Sequence, residues 1–269
     1  MMPFNTEREE TKHFLDHQTL RFNRPDFISS DPIQVPHRFS RKEDIEIAAF
    51  LTATIAWGQR KSIIANAIRL MGFMDNMPYD FLVEADPEDW ERTAKFVHRT
   101  FNGSDCLFFL HSLKNIYTQH QGLEAVFTAG YQLDNTVFAA LKHFRAVFLS
   151  IPHEARVEKH VSSVAANSSA KRLNMFLRWM VRNDENEVDF GLWKNIPTSA
   201  LMLPLDVHSG NVSRSLGLLK RQQNDWKAVE EITAVLRSFD PVDPVKYDYA
   251  LFGIGAFKDT GVLASVPGL

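Results

Sequence analysis

The chain holds a single cysteine, Cys106, in 269 residues. That excludes an intrachain disulfide framework and any all-cysteine cluster or zinc site, and a reducing, cytoplasmic compartment is expected. No apolar run approaches the length needed to cross a bilayer, so no membrane partner is expected. The opening residues are polar and acidic, unlike a secretory leader. No glycine-rich loop suited to cradling phosphates occurs, which argues against nucleotide hydrolysis. A basic excess is missing as well: net charge is −3, whereas many nucleic-acid-binding domains are strongly positive. Tyr and Trp number 5 each against 21 Phe. Phe brings apolar area without a polar atom to satisfy, so these aromatics indicate packing before binding.

What remains is an ordinary globular composition, 45% hydrophobic and 23% charged, long enough for one large domain or two lobes. Charge is unevenly spread. Residues 155–182 carry Arg156, Lys159, Lys171, Arg172, Arg178 and Arg182 against Glu158 alone. Residues 53–72 carry Arg60, Lys61 and Arg69 with no acid, while Asp80, Glu84, Asp86, Glu88, Asp89 and Glu91 cluster elsewhere. Such local basic faces fit DNA, and they equally fit solvated helix surfaces.

Helical periodicity dominates, and the fold class expected is all-α. Ser40 to Glu43 reads as a capping box before a mostly buried helix through Ile45, Ile47, Ala48, Phe50, Leu51, Thr54 and Ile55. Gly58 breaks it, and a second helix places Ile63, Ile64, Ala67, Ile68 and Met71 on one face. Asp86 and Pro87 supply a cap and an N1 proline. Further helices are expected near 105–119, 134–149, 168–182, 207–217 and 225–238, with a last one opened by Asp243 and Pro244. Residues 19–38, with three prolines, read as an ordered connection, and residues 183–187 as a polar loop.

Three segments hold side chains suited to chemistry. Between Leu203 and Gly217, an apolar run gives way to a helix at Asp206, with His208 and Arg214 on its polar positions. Asp206 is well placed as an N-cap, and a capping carboxylate is also held fixed for other work. Residues 168–180 read as a serine-capped helix with Leu173, Met175, Phe176, Leu177 and Met180 inward. Lys171 lies in its first turn beside Arg172, at the positive end of the helix dipole, a setting that suits a nucleophilic amine as well as a solvated one. Finally, residues 55–63 present Gln59, Arg60, Lys61 and Ser62 at a tight helix–helix corner. Their amide, hydroxyl and cationic groups suit base edges and phosphates, or an ordinary polar turn.

These segments occur in the order seen in the helix-hairpin-helix-GPD DNA glycosylase superfamily, which the chain resembles. Asp206 to Arg214 is similar to the Val-Asp-Thr-His-Val-x-Arg-Val element bearing that family's catalytic aspartate. Lys171 to Met180 resembles the Lys-Thr-x-x-Phe-x-x-Lys-Met pattern of archaeal 8-oxoguanine glycosylases, which supplies a catalytic lysine. The near-complete chain, including Asp189 to Trp193 and Asp240 to Gly253, resembles an uncharacterised bacterial subfamily. The usual Leu-Pro-Gly-Val-Gly-x-x-Thr-Ala hairpin is replaced here by Val164 to Ala170, so the helix-hairpin-helix is atypical or missing. The iron–sulfur cysteines of some members are absent, and no cofactor is expected.

The resemblance implies one helical domain over residues 1–269, built as two lobes with a cleft between them. It implies DNA, as damaged duplex, for a partner, and no obligate protein partner. Asp206 and Lys171 would be catalytic, in base excision with or without a Schiff-base AP lyase step. Gln59, Arg60, Lys61, Ser62, Arg172, His208 and Arg214 would contact nucleic acid. The alternative is a binding module that recognises damaged or distorted nucleic acid without cutting it. Trp57, Trp179, Trp193, Phe176 and Phe257 are candidates to stack on an extruded base, or core residues. A metal-dependent hydrolase is a third reading, since His13 and His17 lie one turn apart and could share a metal, as could the scattered His98, His111 and His120. No His-Glu-x-x-His pattern supports it, and no metal ligand is assigned.

Overall fold

The structure is a computed structural model that describes residues 4–256. Among the described residues it is all-α, with helices, short 3-10 turns and no strand beyond the isolated bridges His98–Phe101 and Ser168–Asp225. No helix among the described residues is long and apolar enough to cross a membrane. The chain divides into two compact units, one of Ile28–Ala165 with Leu192–Ile196, the other of Met1–Phe27, Ala166–Gly191 and Pro197–Leu269.

In order, the helices are α1 (Phe4–Phe22), α2 (Pro25–Ile28), α3 (Lys42–Thr54), α4 (Arg60–Phe73), α5 (Pro78–Glu84), α6 (Pro87–Thr93) and α7 (Gly103–Gln119). They continue as α8 (Leu123–Tyr131), α9 (Val137–Phe148), α10 (Lys171–Val181), α11 (Val207–Ser215), α12 (Trp226–Phe239) and α13 (Tyr247–Ala256).

The first unit is built on phenylalanine. Phe50 of α3 lies 6.1 Å from Phe109 of α7 and 5.4 Å from Phe144 of α9, and Phe127 of α8 stacks on Phe144 at 4.3 Å. Offset and edge contacts at these separations add to the apolar area buried. Helix α3 is buried from Ile45 to Thr54 without a break. It even buries Glu46, whose carboxylate accepts from the Tyr117 hydroxyl (2.6 Å) and the Trp193 indole N–H (2.7 Å). Cys106 is buried, and burial pushes its thiol up in pKa.

The expected capping box at Ser40 does not form. Helix α3 begins at Lys42 with Arg41 as N-cap and no side-chain cap bond. Glu43 turns sideways to Arg41 (3.2 Å), which also pairs with Asp80 (2.7 Å) and lies over the Tyr79 ring. Asp86, by contrast, caps α6 as read, accepting from the N–H groups of Glu88 and Asp89. Periodicity in sequence did not separate out α1, α5 or α8.

In the second unit α1 and α11 both pack along α13. Gly253 of α13 touches Phe22 of α1 so closely that a Cβ there would sit 2.4 Å from the ring. Helix α12 is the platform of this unit. Its apolar face buries Trp226, Val229, Ile232, Leu236 and Phe239, a period of three and four. Its other contacts hold the two segments that lead into the candidate site. Thr233 Oγ1 accepts from Leu203 N–H (3.1 Å), and Arg237 donates to Ser199 O (3.0 Å) and Leu201 O (3.2 Å). At the start of α12, Asp225 accepts from Asn167 Nδ2 (2.9 Å), and Trp226 N–H donates to Asn167 O (3.1 Å).

Candidate site at Lys171 and Asp206

The apolar run Leu201, Leu203 and Leu205 is buried, and its backbone groups are tied to α12 as above. Asp206 follows as the N-cap of α11, with φ −124° and ψ −168°. Its Oδ1 accepts from His208 N–H (2.8 Å), Ser209 N–H (3.0 Å) and Ser209 Oγ (3.2 Å), while Ser209 Oγ accepts from Asp206 N–H (3.0 Å). Asn224 Nδ2 donates to the Asp206 carbonyl (3.0 Å). The cap reading of this residue is therefore correct, but it occupies only one carboxylate oxygen. The other, Oδ2, faces Lys171 Nζ at 3.8 Å. Residues 35 apart in sequence thus meet as an amine–carboxylate pair, each side chain about a fifth to a quarter exposed (24% and 21%).

Lys171 lies in the first turn of α10, as expected, but it is the helix's first residue and the helix is not serine-capped. The N-cap position is Ala170, in the left-handed region at φ 47°, and no side chain caps the helix. Ser168 Oγ instead accepts from Ala170 N–H (3.2 Å). Two left-handed residues, Asn167 (φ 63°) and Ala170, turn the chain into α10. Such a conformation costs an alanine about 1–2 kcal/mol, offset here by the Asn167–Asp225 anchor. Arg172 is half-buried, and the loss of surrounding water lowers its guanidinium pKa to about 10, which leaves it a cation at neutral pH.

The basic face read over residues 155–182 is largely neutralised, and this is a correction. Arg156 pairs with Asp105 (3.0 Å). Arg178 and Arg182 are 5% and 2% exposed. Arg178 binds Asp189 (3.2 Å) and, at closer range, Asp248; Arg182 binds Asp184 (2.7 Å), Asp243 (2.9 Å) and Asp189 (3.1 Å). Both guanidiniums lie over the Tyr249 ring, at 4.5 and 5.4 Å. Burial opposes the Arg182 charge, but Asp189, Asp243, Tyr249 and Asp184 outweigh it and hold the guanidinium above its usual range. For Asp248 burial wins over the pull of Arg178, and with Asp206 nearby its carboxyl rises to about 6.

The expected contact residues Arg214 and His208 stand in different settings. Arg214 is spent inside the fold, donating to Arg221 O (2.8 Å) and Asn224 Oδ1 (2.6 Å); it shapes the turn after α11 that supports Asp206. His208 is exposed at the first turn of α11, edge-on to Phe252.

The Gln59 corner belongs to the other unit. Gln59 is the N-cap of α4 and makes no side-chain cap bond; Gln59, Lys61 and Ser62 are exposed and Arg60 is half-buried. Gly58, at φ 103°, lets the Arg99 guanidinium lie against the turn: a Cβ would fall 2.6 Å from it. Behind, the Trp57 carbonyl accepts from His98 Nε2 (3.2 Å), and the half-buried Trp57 ring stacks on His160. Arg99 is a cation at this corner that the sequence reading missed.

Of the aromatic candidates, Phe176, Trp179 and Trp193 are core residues, at most 1% exposed, and Phe257 lies outside the described residues. Among the described residues no group of three His, Cys, Asp or Glu is placed to hold a metal ion. His13 and His17 are both exposed.

Chemically, the Lys171–Asp206 pair can direct an amine at an electrophilic carbon beside a carboxylate able to stabilise adjacent positive charge. Sequence spacing could not reveal Asp248, Asp189 and the two arginines behind the pair, since they sit up to 70 residues apart.

No curated protein and no solved structure matches the chain. Residues 31–257 match the family described as a protein of unknown function (DUF2400), a span that includes Gln59, Lys171, Asp206 and Asp248. With most of its length inside that match, the chain belongs to the DUF2400 family.

Proposed function

We propose that this protein is a DNA base-excision glycosylase of the helix-hairpin-helix-GPD type, with a Schiff-base lyase step carried by Lys171. The observation that carries the reading is the 3.8 Å approach of Lys171 Nζ to Asp206 Oδ2 while Oδ1 is committed to the helix cap. Base loss leaves positive charge on the sugar, and a fixed carboxylate lowers the energy of that state. The amine then bonds to the sugar carbon C1′ as the bond from C1′ to the base breaks. The departing base takes the bonding electron pair and one proton from the amine. The nitrogen lone pair then opens the sugar ring: C1′=N forms as the C1′–O4′ bond breaks, and O4′ takes up the second amine proton. Arg172, His208 and the Gln59 to Ser62 corner serve the phosphates and base edges in this reading. The extruded base must leave the stack at a cost of a few kcal/mol.

A panel of duplexes, each with one lesion or one abasic site, incubated with borohydride tests this directly. Excision of at least one lesion together with a reduced protein–DNA adduct is expected. Base release without an adduct would leave Asp206 acting alone; tight binding without release would support the non-cutting binding module instead.

A further inference from the structure

Helix α10 starts without a capping side chain, yet its first turn is tightly held. Ala170 precedes Lys171 in the left-handed conformation (φ 47°, ψ 36°), which an alanine does not favour. Its φ and ψ are set by the two peptide planes on either side of its Cα, and Asn174 grips both. The Asn174 side-chain Nδ2 donates to Ser169 O (3.1 Å), and its backbone N–H donates to Ala170 O (2.9 Å). The Ser169–Ala170 peptide is held at its other end too, where Ala170 N–H donates to Ser168 Oγ (3.2 Å). Ala170 and Asn174 are each 1% exposed, so water does not compete for these bonds.

We propose that Asn174 is a positioning residue for the Lys171 amine. The bond from Asn174 N–H to Ala170 O closes the first turn of α10, and Lys171 is the first residue inside that ring. The ring closes only while the Ala170 carbonyl points along the helix. The Nδ2–Ser169 bond locks the left-handed residue that aims it. Upstream, Asn167 is anchored on Asp225 (2.9 Å), so Ala170 is the joint between two fixed segments. Without the lock the first turn frays, and the Lys171 backbone leaves the place from which Nζ approaches Asp206 Oδ2 at 3.8 Å. Asp206 is fixed separately by its own capping bonds, so the geometry of the pair depends on the Lys171 side.

The amide is a poor choice for stability alone. Among the described residues its Oδ1 is buried with no hydrogen-bond partner, and an orphaned buried acceptor is destabilising. Leucine has nearly the same shape and removes the orphan together with the Ser169 bond. Asn174→Leu should therefore melt close to the wild type while losing the lock. It leaves Lys171, Asp206 and the cap of α11 in place.

Competitive amine labelling of the full chain with acetic anhydride, read by mass mapping without DNA, measures the amine directly. An amine held against a carboxylate is labelled more slowly than a released one. Lys171 should be labelled several-fold faster in Asp206→Asn, and to a similar degree in Asn174→Leu. Lys227, exposed on α12, should not change and serves as the internal reference. Asn174→Ala is the second variant, should the leucine disturb packing. Combining Asn174→Leu with Asp206→Asn should gain little more than either alone, since both break the same pair. Labelling of Lys171 at the wild-type rate in both Asn174 variants, or additive gains in the double variant, would overturn the proposal. The catalytic consequence rests on the excision reading: Asn174→Leu should form the borohydride adduct about tenfold to 10²-fold more slowly, with DNA affinity unchanged. An adduct formed at the wild-type rate would also overturn it. Released labelling with no adduct on any duplex, even in the wild type, would sustain the positioning role and defeat the excision reading.

Discussion

Replacing Asp206 by Asn separates the two oxygens of that carboxylate. Oδ1 takes two backbone N–H groups and a hydroxyl, and an asparagine carbonyl can accept the same bonds, since Asn is as good an N-cap as Asp. The lost interaction is the Oδ2–Lys171 pair at 3.8 Å, partly exposed on both sides and worth about 0–1 kcal/mol after solvent screening. The melting temperature should fall by no more than about 4 °C. Asp206→Ala removes the cap too, at roughly a further 1 kcal/mol. Excision should respond differently: loss of a fixed group facing the developing charge costs about 10²–10³ in rate. Single-turnover base release alongside thermal melts of both variants makes the comparison. A near-wild-type rate in Asp206→Asn would refute the catalytic assignment. Equal melting of the Asn and Ala variants would refute the account of the cap.

Other residues make independent predictions. Glu46→Ala strands the buried Tyr117 hydroxyl and Trp193 indole N–H, each at about 1–3 kcal/mol, and urea unfolding followed by tryptophan fluorescence should show the midpoint drop; an unchanged midpoint would contradict it. The Asp248 carboxyl rises from 3.8 to about 6, so its contribution to stability is fully present below about 4 and is lost as pH climbs through about 6. Wild type should therefore lose stability relative to Asp248→Asn across that window, and a constant difference would count against the assignment. Arg60→Ala, Lys61→Ala and Arg172→Ala should each reduce the salt-dependence slope of DNA binding by about 0.9. Arg214→Ala should leave the slope alone and lower stability by about 1–3 kcal/mol, because its bonds to Arg221 and Asn224 are internal; the opposite pattern would restore Arg214 to the binding face.

Local signals were legible where one side chain acts on its own backbone. Asp86 before Pro87 and Asp206 before Val207 both cap helices as read, and the apolar period found α4, α10 and α12. Ser40 and Ser168 failed because nonlocal partners took over. Arg41 is drawn to Asp80, and Asn167 is anchored on Asp225, so each helix starts later than the serine suggests. The same limit governs the site. Lys171 and Asp206 could be named from their surroundings, but a string of arginines looks identical whether solvated or buried. Only the fold shows that Arg178 and Arg182 face Asp189, Asp243 and Asp248. Arg99 was hidden for a related reason, since its place beside Gly58 depends on the turn at residues 98–101.

In the proposed reaction the Lys171 amine bonds to the sugar beside Asp206. Borohydride reduction on abasic and lesion-bearing duplexes, followed by digestion and mass mapping of the cross-linked peptide, tests it most directly. An adduct on Lys171 is expected, absent in Lys171→Ala, whose DNA affinity should change little. An adduct on another residue, or none on any substrate that the protein binds, would contradict it.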